Sequence, residues 1–106
     1  MRKYFVLFIF VFLLFSEGFA ASYYNYPNPF YPAKGQTTEI VLPSNRTVNA
    51  YIYNVVGQRI RKLTGTDKIV WDGTNDFGEL VSADVYLVYL VSDNRQLGKC
   101  KIVVLK

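Results

Sequence analysis

The side chains best equipped for chemistry lie in one short span. Asp72, Asn75, Asp76 and Glu79 crowd four oxygen-bearing groups together, and closely spaced oxygen ligands are what calcium takes. Their spacing is not that of an EF-hand loop. Asp and Asn also fill turns, because their side chains hydrogen-bond the local backbone. The span therefore reads first as a polar turn, with calcium as the alternative, and no metal or cofactor is assigned to it. The chain has no histidine, which removes Ser-His and Cys-His nucleophile pairs and histidine-ligated metals together. Ser82 and Ser92 have no recognisable base. Gly73 and Gly78 sit in the polar turn, not between a strand and a helix, so they do not make a phosphate loop. No catalytic residue, small-molecule substrate or cofactor is expected, and the chain does not read as an enzyme.

Cys100 is the one cysteine, and one thiol cannot close an internal disulfide. It alternates with Ile102 and Val104, which predicts a buried small apolar residue; the alternative is an intermolecular disulfide. Arg59, Arg61 and Lys62 form a basic run, and Lys99, Lys101 and Lys106 lie near the C-terminus. Strand alternation would put Arg59 and Arg61 on one face, opposite Ile60, as a solvated surface that discourages edge pairing. Twelve Lys and Arg against eight Asp and Glu give a net charge of +4. That mild excess is a weak pointer to an acidic partner, and nucleic-acid binding is not expected of an exported domain. Asn45-Arg46-Thr47 is a formal glycosylation sequon, relevant only in a host with that machinery.

Export is read from the first twenty residues. Met1-Arg2-Lys3 is basic, Tyr4 to Phe15 is apolar, and Gly18 and Ala20 are small residues two apart. This is the pattern of a secretory signal, with cleavage after Ala20. The alternative is an uncleaved membrane helix, but a span needs ~20 apolar residues, more than this run supplies. No Cys follows it to carry a lipid. Membrane contact is therefore expected only through the transient signal. Its removal takes all the phenylalanines except Phe30 and Phe77 and leaves residues 21–106 as one small domain.

Residues 21–36 are aromatic, proline-containing and aperiodic. Proline fixes φ and lacks a donor, so they read as an extended lead-in that lies along the surface. From residue 37 the text alternates. Thr38, Ile40 and Leu42 share one face, and Pro43 stops the run. Val48, Ala50 and Ile52 oppose Asn49, Tyr51 and Tyr53. Turns are expected at 54–57, 64–67, 72–79 and 93–95, with strands over 58–63, 69–71, 85–91 and 98–105. Short Val-, Ile-, Tyr- and Thr-rich runs separated by regular turn signals predict an all-β sandwich of six or seven strands over 37–106.

Spaced motifs add a resemblance. Tyr26-Pro27-Asn28-Pro29-Phe30 is followed by Thr38 to Pro43, Val48 to Asn54, Gly57-Gln58-Arg59-Ile60, Trp71-Asp72-Gly73, Asn75-Asp76, Gly78, Val85-Tyr86 and Lys101 to Lys106. In order and spacing this resembles the immunoglobulin-like domain of the flagellar hook-cap scaffold protein FlgD. It is equally similar to the C-terminal sorting domains of type IX secretion. The resemblance covers Tyr26 to Lys106. It implies an immunoglobulin-like or fibronectin III-like fold, a bacterial source and an extracellular, cell-surface or periplasmic location. The family reads Ser-Gly-Val-Tyr where this chain has Ala83-Asp84-Val85-Tyr86; Asp84 in place of glycine is expected to hold a left-handed turn at some cost.

The family pattern places Tyr86, Val88 and Leu90 inward. Val85, Leu87, Tyr89 and Val91 then face out, as do Val103 and Leu105 beside inward Cys100, Ile102 and Val104. Tyr51 and Tyr53 are a third outward pair. A free-standing antiparallel sandwich shows polar residues there. Leu87, Tyr89, Val91, Val103, Leu105, Tyr51 and Tyr53 are therefore the candidate interaction face, for a protein partner or self-association; the alternative is that the aromatic lead-in covers part of it. The expected role is an exported structural or protein-interaction module. A type IX sorting or anchoring domain and a hook-assembly scaffold are the alternatives. A sorting domain needs cargo, and a domain starting just after its signal implies either a fragment of a longer protein or a module that works by itself.

Overall fold

The computed structural model describes residues 21–42 and 45–106. The export signal and Pro43 lie outside the described residues. Eight strands follow one another: β1 (Ala21–Ser22), β2 (Asn25–Tyr26), β3 (Thr38–Val41), β4 (Val48–Tyr53), β5 (Arg59–Gly65), β6 (Lys68–Trp71), β7 (Asp84–Ser92) and β8 (Arg95–Val104). One sheet has the order β1-β8-β7-β4-β5 and the other β2-β3-β6. Every pairing is antiparallel except β1 with β8. The two sheets make an immunoglobulin/fibronectin III-like sandwich. Its six longer strands fall where the apolar runs and turn signals predict them, and the two added strands come from the lead-in.

Period-two alternation explains the core. Ile40 from β3 and Ile69 and Trp71 from β6 meet Val48, Ala50 and Ile52 of β4, Tyr86, Val88 and Leu90 of β7, and Cys100, Ile102 and Val104 of β8. A one-residue slip would turn each set to solvent, so burial pins the register. The Tyr86 hydroxyl donates to the Ser82 carbonyl at 2.7 Å, the tyrosine-corner arrangement of immunoglobulin-type sandwiches. Asp93 (φ 52°) and Asn94 (φ 60°) close the β7–β8 hairpin, residue types that accept the positive φ a tight hairpin turn demands. Asp84 is not left-handed. It opens β7 with its carboxylate accepting from the Val85 N–H at 2.7 Å, so the cost expected from a missing glycine does not arise.

Residues 21–36 do more than lie along the surface. They run between the edges of the two sheets. β1 pairs with β8, and the Tyr23 N–H donates to the Lys99 carbonyl at 3.0 Å. The chain then crosses to pair Asn25 with Ile40 and Tyr26 with Glu39. It returns to β8, where the Asn28 amide donates to the Lys101 carbonyl and its oxygen accepts from the Val103 N–H, both at 2.9 Å. The Phe30 N–H donates to the Val103 carbonyl and the Leu105 N–H to the Phe30 carbonyl. One segment thus satisfies donors and acceptors of two edges that would otherwise stand open. Between the edges, Asn25 is buried and donates to the Thr38 hydroxyl at 2.8 Å, which donates to the Pro27 carbonyl at 2.8 Å.

Phe30 ends this path fully buried, its ring 5.7 Å from Trp71, which stands edge-on to Tyr86 at 5.5 Å. The packed unit therefore extends past the change of periodicity at residue 37. Gly73 fixes the same corner. Its φ is +80°, and a Cβ there would come within 2.4 Å of Pro32, so only glycine fits on both counts. Phe30→Ala is expected to destabilise the domain by about 3–5 kcal/mol, as for other buried phenylalanines. Urea unfolding followed by Trp71 fluorescence checks this; an unchanged midpoint would return Phe30 to the surface.

Candidate interaction face

The outer surface of the five-stranded sheet is assembled by register. Residues opposite one another across a sheet share a face. One row therefore reads Arg59, Tyr53, Leu87, Lys101 across β5, β4, β7 and β8, and the next reads Lys62, Tyr51, Tyr89, Lys99. Each row is a cation, two apolar or aromatic residues and a cation. The Tyr53 and Tyr89 rings meet edge-on at 5.6 Å. The Arg59 guanidinium and Lys62 ammonium lie 5.9 and 5.8 Å from the Tyr51 ring centre, within reach of its electron-rich face. Leu87 is 37% exposed, and the three tyrosines are half-buried.

Five of the seven residues expected on this face cluster around it. Tyr51, Tyr53, Leu87 and Tyr89 form its centre, and Val91, opposite Asn49, continues it along β7. Val103 lies on the same face opposite Val85, toward the C-terminal end of β8. Leu105 does not join them. It falls beyond β8 and lines a separate groove of about 400 Å³ with Pro32, Leu80 and Val81. The lead-in meets this face at one margin through Tyr23, which borders a shallow groove of about 310 Å³ with Leu87, Tyr89, Lys99 and Lys101. Tyr24 and Tyr26 stay exposed, and Phe30 turns into the core.

The basic run is split, contrary to the alternation. Tyr53 pairs with Arg59 but Ile52 pairs with Arg61, so Ile60 is the extra residue of a bulge. Arg59 and Lys62 face outward, and Arg61 turns to the Ile52 side. There its guanidinium donates to the Thr74 hydroxyl and to the Asn75 carbonyl at 3.0 Å, with Asp72 at 3.7 Å. Sequence reading missed this role because a bulge leaves no periodic trace.

Arg61 organises the acidic span. The Asp72 carboxylate accepts from the Thr74 hydroxyl at 2.6 Å and the Thr74 N–H at 3.1 Å. The Thr74 hydroxyl contributes most to holding its pKa below the ordinary carboxylate value; nearby Arg61 adds to this and partial burial opposes it. The Asn75 oxygen accepts from the Phe77 and Glu79 N–H groups, and the Asn75 amide donates to Glu79. Asp76 accepts from the Lys62 N–H, while its own N–H donates to the Ile60 carbonyl. These oxygens hold the loop together and tie it to β5. Among the described residues, no three His, Cys, Asp or Glu side chains converge to hold a metal. Arg61→Ala is expected to lower stability by about 1.5–3 kcal/mol through the charge-assisted hydrogen bonds lost to the Thr74 hydroxyl and the Asn75 carbonyl. Hydrogen exchange of residues 72–79 should quicken more than that of β7; equal protection in both proteins would contradict the anchor.

Cys100 is buried as expected, and burial pushes its thiol up to about 11. The folded state resists ionisation, so the unfolded chain loses its thiol proton first. Stability is therefore full below the ordinary thiol range and falls as pH rises from there toward 11. Cys100→Ala should flatten this fall, and the native thiol should react with a disulfide reagent at neutral pH far more slowly than in denaturant.

No protein-family model matches the sequence, and no curated protein matches it. Among solved structures the chain is similar to part of PorZ, an essential bacterial surface component of the type IX secretion system of Porphyromonas gingivalis. The TM-score is 0.63 and the identity 21%, over 79% of this chain and 11% of that one. The likeness shows a shared fold, and the chain spans about a tenth of PorZ. The hook-cap and sorting-domain likenesses both rest on sequence motifs. Among the described residues no helix is long and apolar enough to cross a membrane.

Proposed function

We propose that this chain is an exported, non-catalytic module that acts at the bacterial cell surface by docking a protein on the outer face of its five-stranded sheet. The observation that carries this is the pair of cross-strand rows, which put Tyr51, Tyr53, Leu87 and Tyr89 side by side at a surface. An antiparallel sheet with one solvated face is ordinarily polar there, and a contiguous apolar patch marks an interaction site. The absence of histidine from the sequence and the use of the acidic span within its own loop support a binding role over a catalytic one.

A second reading is a type IX sorting or anchoring domain. The fold shared with a region of PorZ favours it, as does the pairing of a Tyr26 to Phe30 opening with a Lys101 to Lys106 close. Fusing residues 21–106 behind a periplasmic reporter in a type IX-competent bacterium separates the readings. Surface delivery of the reporter supports sorting, and retention in the periplasm removes it.

The docking face is tested by Leu87→Lys with Tyr89→Lys. Both positions are outward, so the domain should stay folded by circular dichroism while its cell-surface retention, read by fractionation, is lost. A folded variant retained like the native chain would remove the docking role. Recovery of the native chain in the cytoplasm with Met1 intact would remove export.

A further inference from the structure

The charges of the outer face identify what kind of partner fits it. Arg59 and Lys62 stand on β5, and Lys99 and Lys101 on β8, one pair on each flank of the apolar centre. All four are exposed. None of the outward residues in these rows is acidic. Glu39 pairs with Lys68 on the other sheet at 3.5 Å, Asp72, Asp76 and Glu79 belong to the anchored loop, and Asp67 and Asp93 sit in turns. Asp84 falls on the Tyr86 side of β7. The ion pair Arg61–Asp72 is also off this face. Cations thus frame the apolar patch, and the Asp76 carboxylate stands outside it at the β5 edge, accepting from the Lys62 N–H at 3.2 Å.

From this we propose that the occupant is an amphipathic helix of another protein, apolar along one stripe and acidic on both margins of it. The inference rests on the docking reading above. Three strand spacings separate β5 from β8, roughly 14 Å. A helix with its side chains is about 10–12 Å wide. Laid along the strands, it sets its stripe on Tyr51, Tyr53, Leu87 and Tyr89 and brings carboxylates on either side to the two cation pairs. An extended strand sends alternate side chains to opposite faces and offers no stripe with two like margins. A second copy docked symmetrically would bring four cations against four, which like-charge repulsion opposes.

Two labelled helical peptides of about 18 residues test this with the purified full chain. Both carry a Leu stripe; one has Glu on both margins and the other Lys. The Glu peptide is expected to bind by fluorescence anisotropy, and to weaken at least about tenfold from about 0.05 M to about 0.5 M salt. Lys62→Glu with Lys99→Glu should weaken it by about tenfold or more, with Trp71 fluorescence unchanged, and Lys62→Gln with Lys99→Gln should lie between. Equal binding of the two peptides, binding of neither, undiminished binding by the charge-reversed chain, preference for anionic phosphatidylglycerol vesicles, or a dimer by light scattering would each overturn the proposal. Surface retention separates it from the docking reading. If Leu87→Lys with Tyr89→Lys abolishes retention but charge reversal does not, the acidic partner falls and the docking face stands. If neither variant affects retention, both fall.

Discussion

The burial of Phe30 against Trp71 is the contact on which the rest of this domain depends. The three-stranded sheet is small, and its inward side chains cannot cover the inner face of the five-stranded sheet unaided. Phe30 fills the corner where β6, β7 and β8 converge, and Trp71 and Tyr86 complete an aromatic group whose rings meet at 5.5 and 5.7 Å. Aromatic side chains bury much area each, and tilted or edge-on contacts add to that burial. The backbone on either side of Phe30 is held by the Val103 carbonyl and the Leu105 N–H. The same residue therefore closes the core and the end of the β8 edge.

Placing Phe30 there dictates the course of the residues before it. The segment satisfies the edge of β8 at 21–23 and again at 28–30, and the edge of β3 at 25–26. Its prolines cannot donate to a ladder, so the Asn28 side chain supplies both a donor and an acceptor in place of backbone. With one side of the sandwich closed in this way, β8 is no longer an open edge, while β7 and β4 lie between β8 and β5 in the middle of the larger sheet. Their outward residues form a continuous surface only because they are flanked on both sides.

The bulge at Ile60 has a comparable reach. It sends Arg61 to the loop that follows Trp71 and leaves Arg59 and Lys62 on the outer face. One extra residue thus divides a basic run between a structural anchor and a cationic flank. Without it, Arg61 would share the outer face with Arg59, and the Thr74 and Asn75 carbonyls would lose their guanidinium partner.

Much of the fold was legible in the residues. Alternation in 38–42, 48–53 and 100–104 named the inward set there, because a half-buried strand must repeat every two residues, and in the wholly apolar 85–91 the family resemblance named it. Turn chemistry at Asn54 and Asp93 bounded those strands, and the absence of histidine limited the chemistry. Tyr51, Tyr53, Leu87 and Tyr89 were legible as outward, since facing out is a property of one strand. Their meeting with Arg59, Lys62, Lys99 and Lys101 in two rows was not, because register between strands distant in sequence is set by core burial. The place of Phe30 was hidden for a related reason. An aperiodic, proline-containing segment carries no signal of what it packs against, and only the unfilled corner between two sheets decides that it is part of the core.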